Sequence, residues 1–128
     1  MQDYIYKTVR AAAILTNGYV AGTVLGIDEL QPKLHNQLVI YVDFTIGSLT
    51  SASIKVEFSD DNSDYYQETF GSITAGTETD TLGVHTFSAT GKYRIPIPCK
   101  DGFVKISAIG TGTVTSSSMA IKAVFGTA

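Results

Sequence analysis

A chain of 128 residues, 44% hydrophobic and only 16% charged, carries enough apolar surface for one core and too little charge density for disorder. Nine Lys and Arg against twelve Asp and Glu give a net charge of -3 with no basic cluster along the chain, which argues against nucleic acid as a partner because phosphate neutralisation needs concentrated positive charge. The single cysteine, Cys99, excludes an intramolecular disulfide, and with no basic-then-apolar leader and no run of about 18 apolar residues, neither a signal peptide nor a membrane span is expected.

Thr (16), Ser (11) and Gly (12) supply 39 residues, a mixture that favours strands and tight turns over helices. The first segment, with Tyr4, Ile5, Tyr6, Val9, Ala11, Ala12, Ala13, Ile14 and Leu15, is apolar on both faces. A terminal strand on the outside of a sandwich has one face for its own core, so a second burial partner is expected, with Tyr4, Tyr6, Val9, Ala12 and Ile14 as candidate oligomer contacts. A short helix over Thr8 to Leu15 competes with the strand, given the run of alanines. Asn17-Gly18 between apolar flanks predicts a hairpin, so residues 1–26 read as a strand or hairpin segment used in oligomerisation.

Further along, period-two alternation predicts a strand at Leu38–Phe44, with Leu38, Ile40, Val42 and Phe44 inward. The pattern repeats at Ile54–Ser59, where Ile54, Val56 and Phe58 face a core and Lys55 and Glu57 face water. His85 falls in a predicted strand, Val84 to Ala89. Tyr93, Ile95 and Ile97 alternate with Arg94, Pro96 and Pro98, and the prolines place that strand at a sheet edge. Val104, Ile106 and Ala108 alternate with Lys105 and Ser107, and Ser118 to Phe125 reads as the closing strand. Turns are predicted at Gly47-Ser48, Asp60-Asp61-Asn62, Ala75-Gly76, Thr90-Gly91, Lys100-Asp101-Gly102 and Gly110-Thr111-Gly112. Strands at this spacing predict a single all-β domain over 1–128, an antiparallel two-sheet sandwich of the jelly-roll type with about eight strands.

No pattern in the chain carries a reaction. Neither His35, in a polar stretch, nor His85 belongs to a nucleophile motif, and no Cys/His motif supports Cys99 as a nucleophile, so no catalytic residue is assigned. Asp60, Asn62 and Asp64 have the spacing that opens a calcium loop, but Tyr65 stands where the turn glycine belongs and Gly71 where the bidentate Glu belongs. A solvated turn is the preferred reading, and no metal or cofactor is expected. Tyr65, Tyr66, Asp61 and Asn62 are the candidate partner or glycan contacts, because tyrosine joins a broad apolar face to a polar tip.

The strand and turn from Ile54 to Tyr66 resemble the corresponding "S-D-D/N-x-aromatic" element of galactose-binding-like, discoidin-type jelly rolls, and Tyr93-Arg94-Ile95-Pro96-Ile97 resembles their late "Y-x-R-I" strand. From about Gln37 to Gly126 the order of segments Leu38 to Phe44, Ser59-Asp60, Tyr93 to Pro98, Phe103 to Gly110 and Thr113 to Ser118 is similar to small structural proteins of tailed phages. That resemblance implies a non-enzymatic virion protein of the capsid decoration, cement or appendage kind, assembled in the host cytoplasm. It also implies partners: copies of itself, as a homo-oligomer with a trimer as the first expectation, and a major capsid or other virion protein. Neither nucleic acid nor membrane is an expected partner. The discoidin-like turn implies the alternative, a carbohydrate-binding module, although such domains usually bring a Trp-rich or Arg-rich ligand loop and this chain has no Trp.

Overall fold

The computed structural model describes residues 5–26, 37–97 and 102–126, so Tyr4, His35 and Cys99 lie outside the described residues. In chain order the strands are β1 (Ile5–Ala13), β2 (Val20–Ala21), β3 (Leu25–Gly26), β4 (Gln37–Thr45), β5 (Leu49–Ser59), β6 (Tyr66–Gln67), β7 (Thr69–Thr74), β8 (Thr77–Leu82), β9 (His85–Phe87), β10 (Gly91–Ile97), β11 (Phe103–Gly112) and β12 (Ser118–Gly126). The first sheet has the order β1-β12-β4-β10; the second has β2-β11-β5-β6, with β3 also on β11 and β9 also on β5. Strands β7 and β8 pair with each other.

The pairing registers simplify this list. Both β2 and β3 run antiparallel to β11, at Ser107–Ala108 and at Phe103–Val104, and so form one interrupted strand. Likewise β6 and β9 lie in line on the edge of β5, at Glu57–Phe58 and at Ala52–Ile54. Taken together, the described residues form eight strand positions plus one hairpin, and in chain order the two sheets read 1-8-3-6 and 2-7-4-5. This is the double-Greek-key order of a jelly roll.

Alternating residues of the two sheets fill one core. Leu38, Ile40, Val42 and Phe44 of β4 face Ile54 and Val56 of β5, Val104 and Ile106 of β11, and Met119, Ile121, Ala123 and Phe125 of β12. Phe58 and Ile95, expected in the core, pack against it half-buried. Each fully buried aliphatic side chain contributes roughly 1.5–3 kcal/mol. Lys55 and Glu57 are on the outer face as expected but half-buried, with Nζ and Oε1 3.8 Å apart and the Lys55 ammonium 4.5 Å above the Tyr19 ring. Pro96 lies on β10, an edge strand of the first sheet, where its missing N–H costs no ladder bond on the solvent side. Strand β12 closes the chain yet sits centrally, between β1 and β4.

Several expectations are corrected. Residues Thr8 to Ala13 are strand, not helix, because β12 offers them a ladder. Asn17-Gly18 does not turn a hairpin: β1 and β2 belong to different sheets, and neither residue has positive φ. The loop instead crosses the end of the sandwich, with Leu15 buried and the Asn17 amide donating to the carbonyls of Gly110 and Gly112 at 2.9 and 3.0 Å. Gly110-Thr111-Gly112 is no turn but the end of β11, whose ladder to β5 runs through it. Glycine is needed there because a Cβ on Gly110 would sit 2.9 Å from Leu49 Cδ2 and 3.1 Å from Leu15 Cβ. Val9 is buried in the chain's own core, which removes it from the candidate oligomer contacts, while Tyr6, Ala12 and Ile14 are exposed.

The hairpin interrupts the fifth strand position. Its tip carries Ala75 and Gly76 at φ of 52° and 80°, the left-handed pair of a tight two-residue hairpin turn. Its neck is drawn together by three bonds: the Gly83 amide to the Glu68 carbonyl at 2.6 Å, the Gln67 amide group to the Gly83 carbonyl at 3.1 Å, and His85 Nε2 against Glu68 Oε1 at 3.2 Å. The interrupted strand therefore keeps its place on β5 on either side of the excursion.

Candidate functional site

Inward alternation on the first sheet leaves the other residues on its outer face, where the register sorts them into rows. Tyr6 opposes Val124, which opposes Val39 and then Pro96, an apolar row. Next to it, Thr8, Lys122, Tyr41 and Arg94 follow one another across the four strands. A third row places Ala120, Asp43 and Lys92 side by side.

The second and third rows line an open groove of about 630 Å³ that takes in Arg10, Tyr41, Asp43, Lys92, Arg94 and Lys122. A smaller depression of about 330 Å³, bounded by Tyr6, Tyr41, Lys122 and Val124, adjoins it through Tyr41 and Lys122. The Lys122 ammonium lies 5.6 Å from the rings of both Tyr6 and Tyr41, within cation–π range. Among the described residues, four cations share the groove with one carboxylate, that of Asp43, whose Oδ2 is 3.7 Å from Lys92 Nζ. Arg10 is held from behind: it donates to the carbonyls of Met119 at 3.1 Å and Ile14 at 2.8 Å, bracing the irregular end of β1. Partial burial lowers its pKa without removing its charge. A face of this kind attracts anionic and aromatic groups over an area and does not enclose a reacting atom.

The turn residues singled out in the sequence lie on the other sheet, at the end of β5. Asp61 Oδ1 accepts from the Ser63 and Asp64 amides at 2.8 and 2.9 Å and from the Ser59 hydroxyl at 2.9 Å. Those bonds hold its carboxyl below its ordinary pKa, the Asp64 amide first. Asn62 adopts a φ of 58° and accepts a bond from the Tyr65 hydroxyl. The Tyr65 ring lies under Lys105 Nζ at 4.0 Å, and its partial burial, with the charges of Asp61 and Glu57, pushes its hydroxyl pKa up. Asp61, Asn62 and Tyr65 thus bond within the turn, Asp61 and Asn62 at its exposed surface, and of the two tyrosines Tyr66, 69% exposed, is the one that faces outward. Among the described residues no group of three or more His, Cys, Asp or Glu could hold a metal ion. No helix of the described residues is long and apolar enough to cross a membrane.

The structure therefore separates the two candidate groups, with Tyr6 at the depression beside the groove of the first sheet and Tyr66 at the edge of the second. The groove's cations, Arg10, Lys92, Arg94 and Lys122, were not singled out from the sequence. They come from β1, β10 and β12, and only their alternation with core residues could have hinted at a shared face.

The fold defines the class of protein, a jelly-roll β-sandwich. No protein-family model matches the chain, and no curated protein matches it. Among solved structures it is similar to PBSX exported protein XepA, with a TM-score of 0.62 and 7% identity over 97% of this chain and 37% of that one. It is also similar to a chain in the structure of infectious bursal disease virus, Gx strain, with a TM-score of 0.51 and 5% identity over 98% of this chain and 32% of the other. The chain thus spans about a third of each of these proteins, and at such identities the likeness is one of fold.

Proposed function

We propose that this chain is a non-enzymatic structural protein of a virion, a capsid decoration, cement or appendage component that works by surface contact with copies of itself and with a larger particle. The observation that carries the reading is the open, cationic and aromatic groove on the outer face of the first sheet. With the depression beside it, the groove offers broad area with exposed Tyr6 and Tyr41, on a fold shared with a virus structure and an exported protein. Self-association as a trimer, attachment to a major capsid protein and assembly in the host cytoplasm follow from the resemblance to phage structural proteins. Electron microscopy of the parent particle tests the reading. Density for this jelly roll on a capsid or tail is the expected result, and a purified particle that lacks the chain would overturn it.

Carbohydrate recognition is the second reading, favoured by the outward Tyr66 beside a polar turn. Specific glycan-array binding that is lost in Tyr66→Ala would move it ahead of particle attachment.

A further inference from the structure

The fold segregates charge. Residues 56–91 hold seven of the twelve acidic residues and none of the nine Lys and Arg, although the whole chain is only at -3. That stretch contains the β7–β8 hairpin. Its register sets Thr69 against Leu82, Gly71 against Asp80 and Ile73 against Glu78, so Ile73, Glu78, Asp80 and Leu82 share one face. All four are exposed, Ile73 at 76% and Leu82 at 62%. Between them lies bare backbone: a Cβ on Gly71 would be 3.6 Å from a carboxylate oxygen of both Asp80 and Glu78. Two carboxylates flanked by two large aliphatic side chains form an acidic, apolar ribbon that the other described residues leave uncovered.

The groove on the first sheet is the complement of that ribbon, since among the described residues four cations line it against one carboxylate and its floor includes Tyr41 and Ala120. Four strands at about 4.8 Å spacing make a face roughly 14 Å across, wide enough to seat a two-stranded ribbon. The ribbon leaves from the edge of the second sheet, and its exposure shows that it does not occupy the groove of its own chain. We propose that the β7–β8 hairpin of one copy docks in the first-sheet groove of the next, with Glu78 and Asp80 set against Arg94, Lys122 and Lys92, and Ile73 and Leu82 against the tyrosine and alanine floor. This inference rests on the reading above that the chain self-associates, and it names the surfaces.

Hairpin into groove is a heterologous contact, so it propagates head to tail and closes into a ring when the rotation allows, a trimer being the smallest such ring beyond a pair. A contact of this size belongs to the small, electrostatically steered class, and ring closure adds avidity that one contact lacks. It must therefore be sensitive to salt.

Light scattering coupled to size exclusion tests it with two charge-reversal variants, Glu78→Lys/Asp80→Lys in the hairpin and Arg94→Glu/Lys122→Glu in the groove. The wild type is expected to run as an oligomer at low salt and to lose mass as salt rises, and each variant alone is expected at the monomer mass of 13.7 kDa. An equimolar mixture of the two variants is expected to associate again as a pair or an alternating, even-numbered assembly, because each hairpin meets a groove of opposite sign only where the two variants alternate, which a three-membered ring does not allow. An oligomer that survives both reversals, or a mixture that stays monomeric, overturns the hairpin-groove contact while leaving self-association standing. A wild type that is monomeric at every concentration at low salt overturns both. Should a reversal variant lose its cooperative melt, Arg94→Gln/Lys122→Gln serves instead, with dissociation expected at lower salt than in the wild type and an unchanged profile counting against the contact.

Discussion

Glu68 and His85, 17 residues apart, meet at 3.2 Å across the neck of the β7–β8 hairpin, where the strand on the edge of β5 breaks off and resumes. The imidazole and the carboxylate are both largely shielded from solvent, so their bond holds the two ends of the excursion in line. Removing one partner should loosen the hairpin and leave the sandwich intact. His85→Ala is expected to cost about 1 kcal/mol in global stability and to speed amide exchange over residues 69–82. Protection in β5 and β11 should be unchanged, and a uniform rise across both sheets would show that the neck supports the whole fold.

The face assignment of β5 is open to a paired test. Val56 is fully buried between the sheets, so Val56→Asp would place an unpaired charge in the core and should cost about 3 kcal/mol or more. Lys55, one residue away, lies on the outer face beside Glu57 and Tyr19. Its replacement by Asp should cost only about 1 kcal/mol, the sum of a surface ion pair and an exposed cation–π contact. Equal shifts in melting temperature for the two variants would overturn the assignment.

Glycines at two places in the chain should respond differently to a side chain. Gly110→Val would press a branched side chain against Leu49 and Leu15, an overpacking worth about 1–3 kcal/mol. Nothing lies within 4 Å of the position a Cβ would take on Gly18, and Gly18→Ala should stay within about 0.5 kcal/mol of the wild type. Chemical denaturation of both variants compares them directly.

Asp61 links the β5 turn to pH. Its carboxyl, bonded to the Asp64 and Ser63 amides and the Ser59 hydroxyl, titrates below its ordinary value of 3.8. A carboxyl with a lowered folded-state pKa contributes stability that is present above the unfolded value and lost as pH falls through the folded one. The melting-temperature gap between the wild type and Asp61→Asn should therefore be largest near neutral pH and shrink below pH 3.8. A gap that stays constant down to pH 2 would mean that the carboxylate's charge has no part in holding the turn.

The amino-acid sequence by itself determined the strands whose periodicity was clean. Ile54, Val56 and Phe58 alternating with Lys55 and Glu57 announce one inward face, and the prolines after Tyr93 announce an edge, because period and proline geometry act within a few residues. The sandwich class and most of its central core follow from the same local rules. What only the tertiary structure decided depends on residues far apart in the chain. Asn17-Gly18 has the chemistry of a hairpin, yet Leu15 found a better burial across the end of the sandwich than a ladder with Val20 would provide. Gly110 reads as a turn residue until Leu49 and Leu15 are seen to claim its missing side chain. The acidic stretch was present in the sequence as a run of like charges, but the face that complements it was not. Arg10, Lys92, Arg94 and Lys122 are dispersed over more than a hundred residues, and they become neighbours only because jelly-roll pairing lays β1, β12, β4 and β10 side by side with alternate residues turned outward.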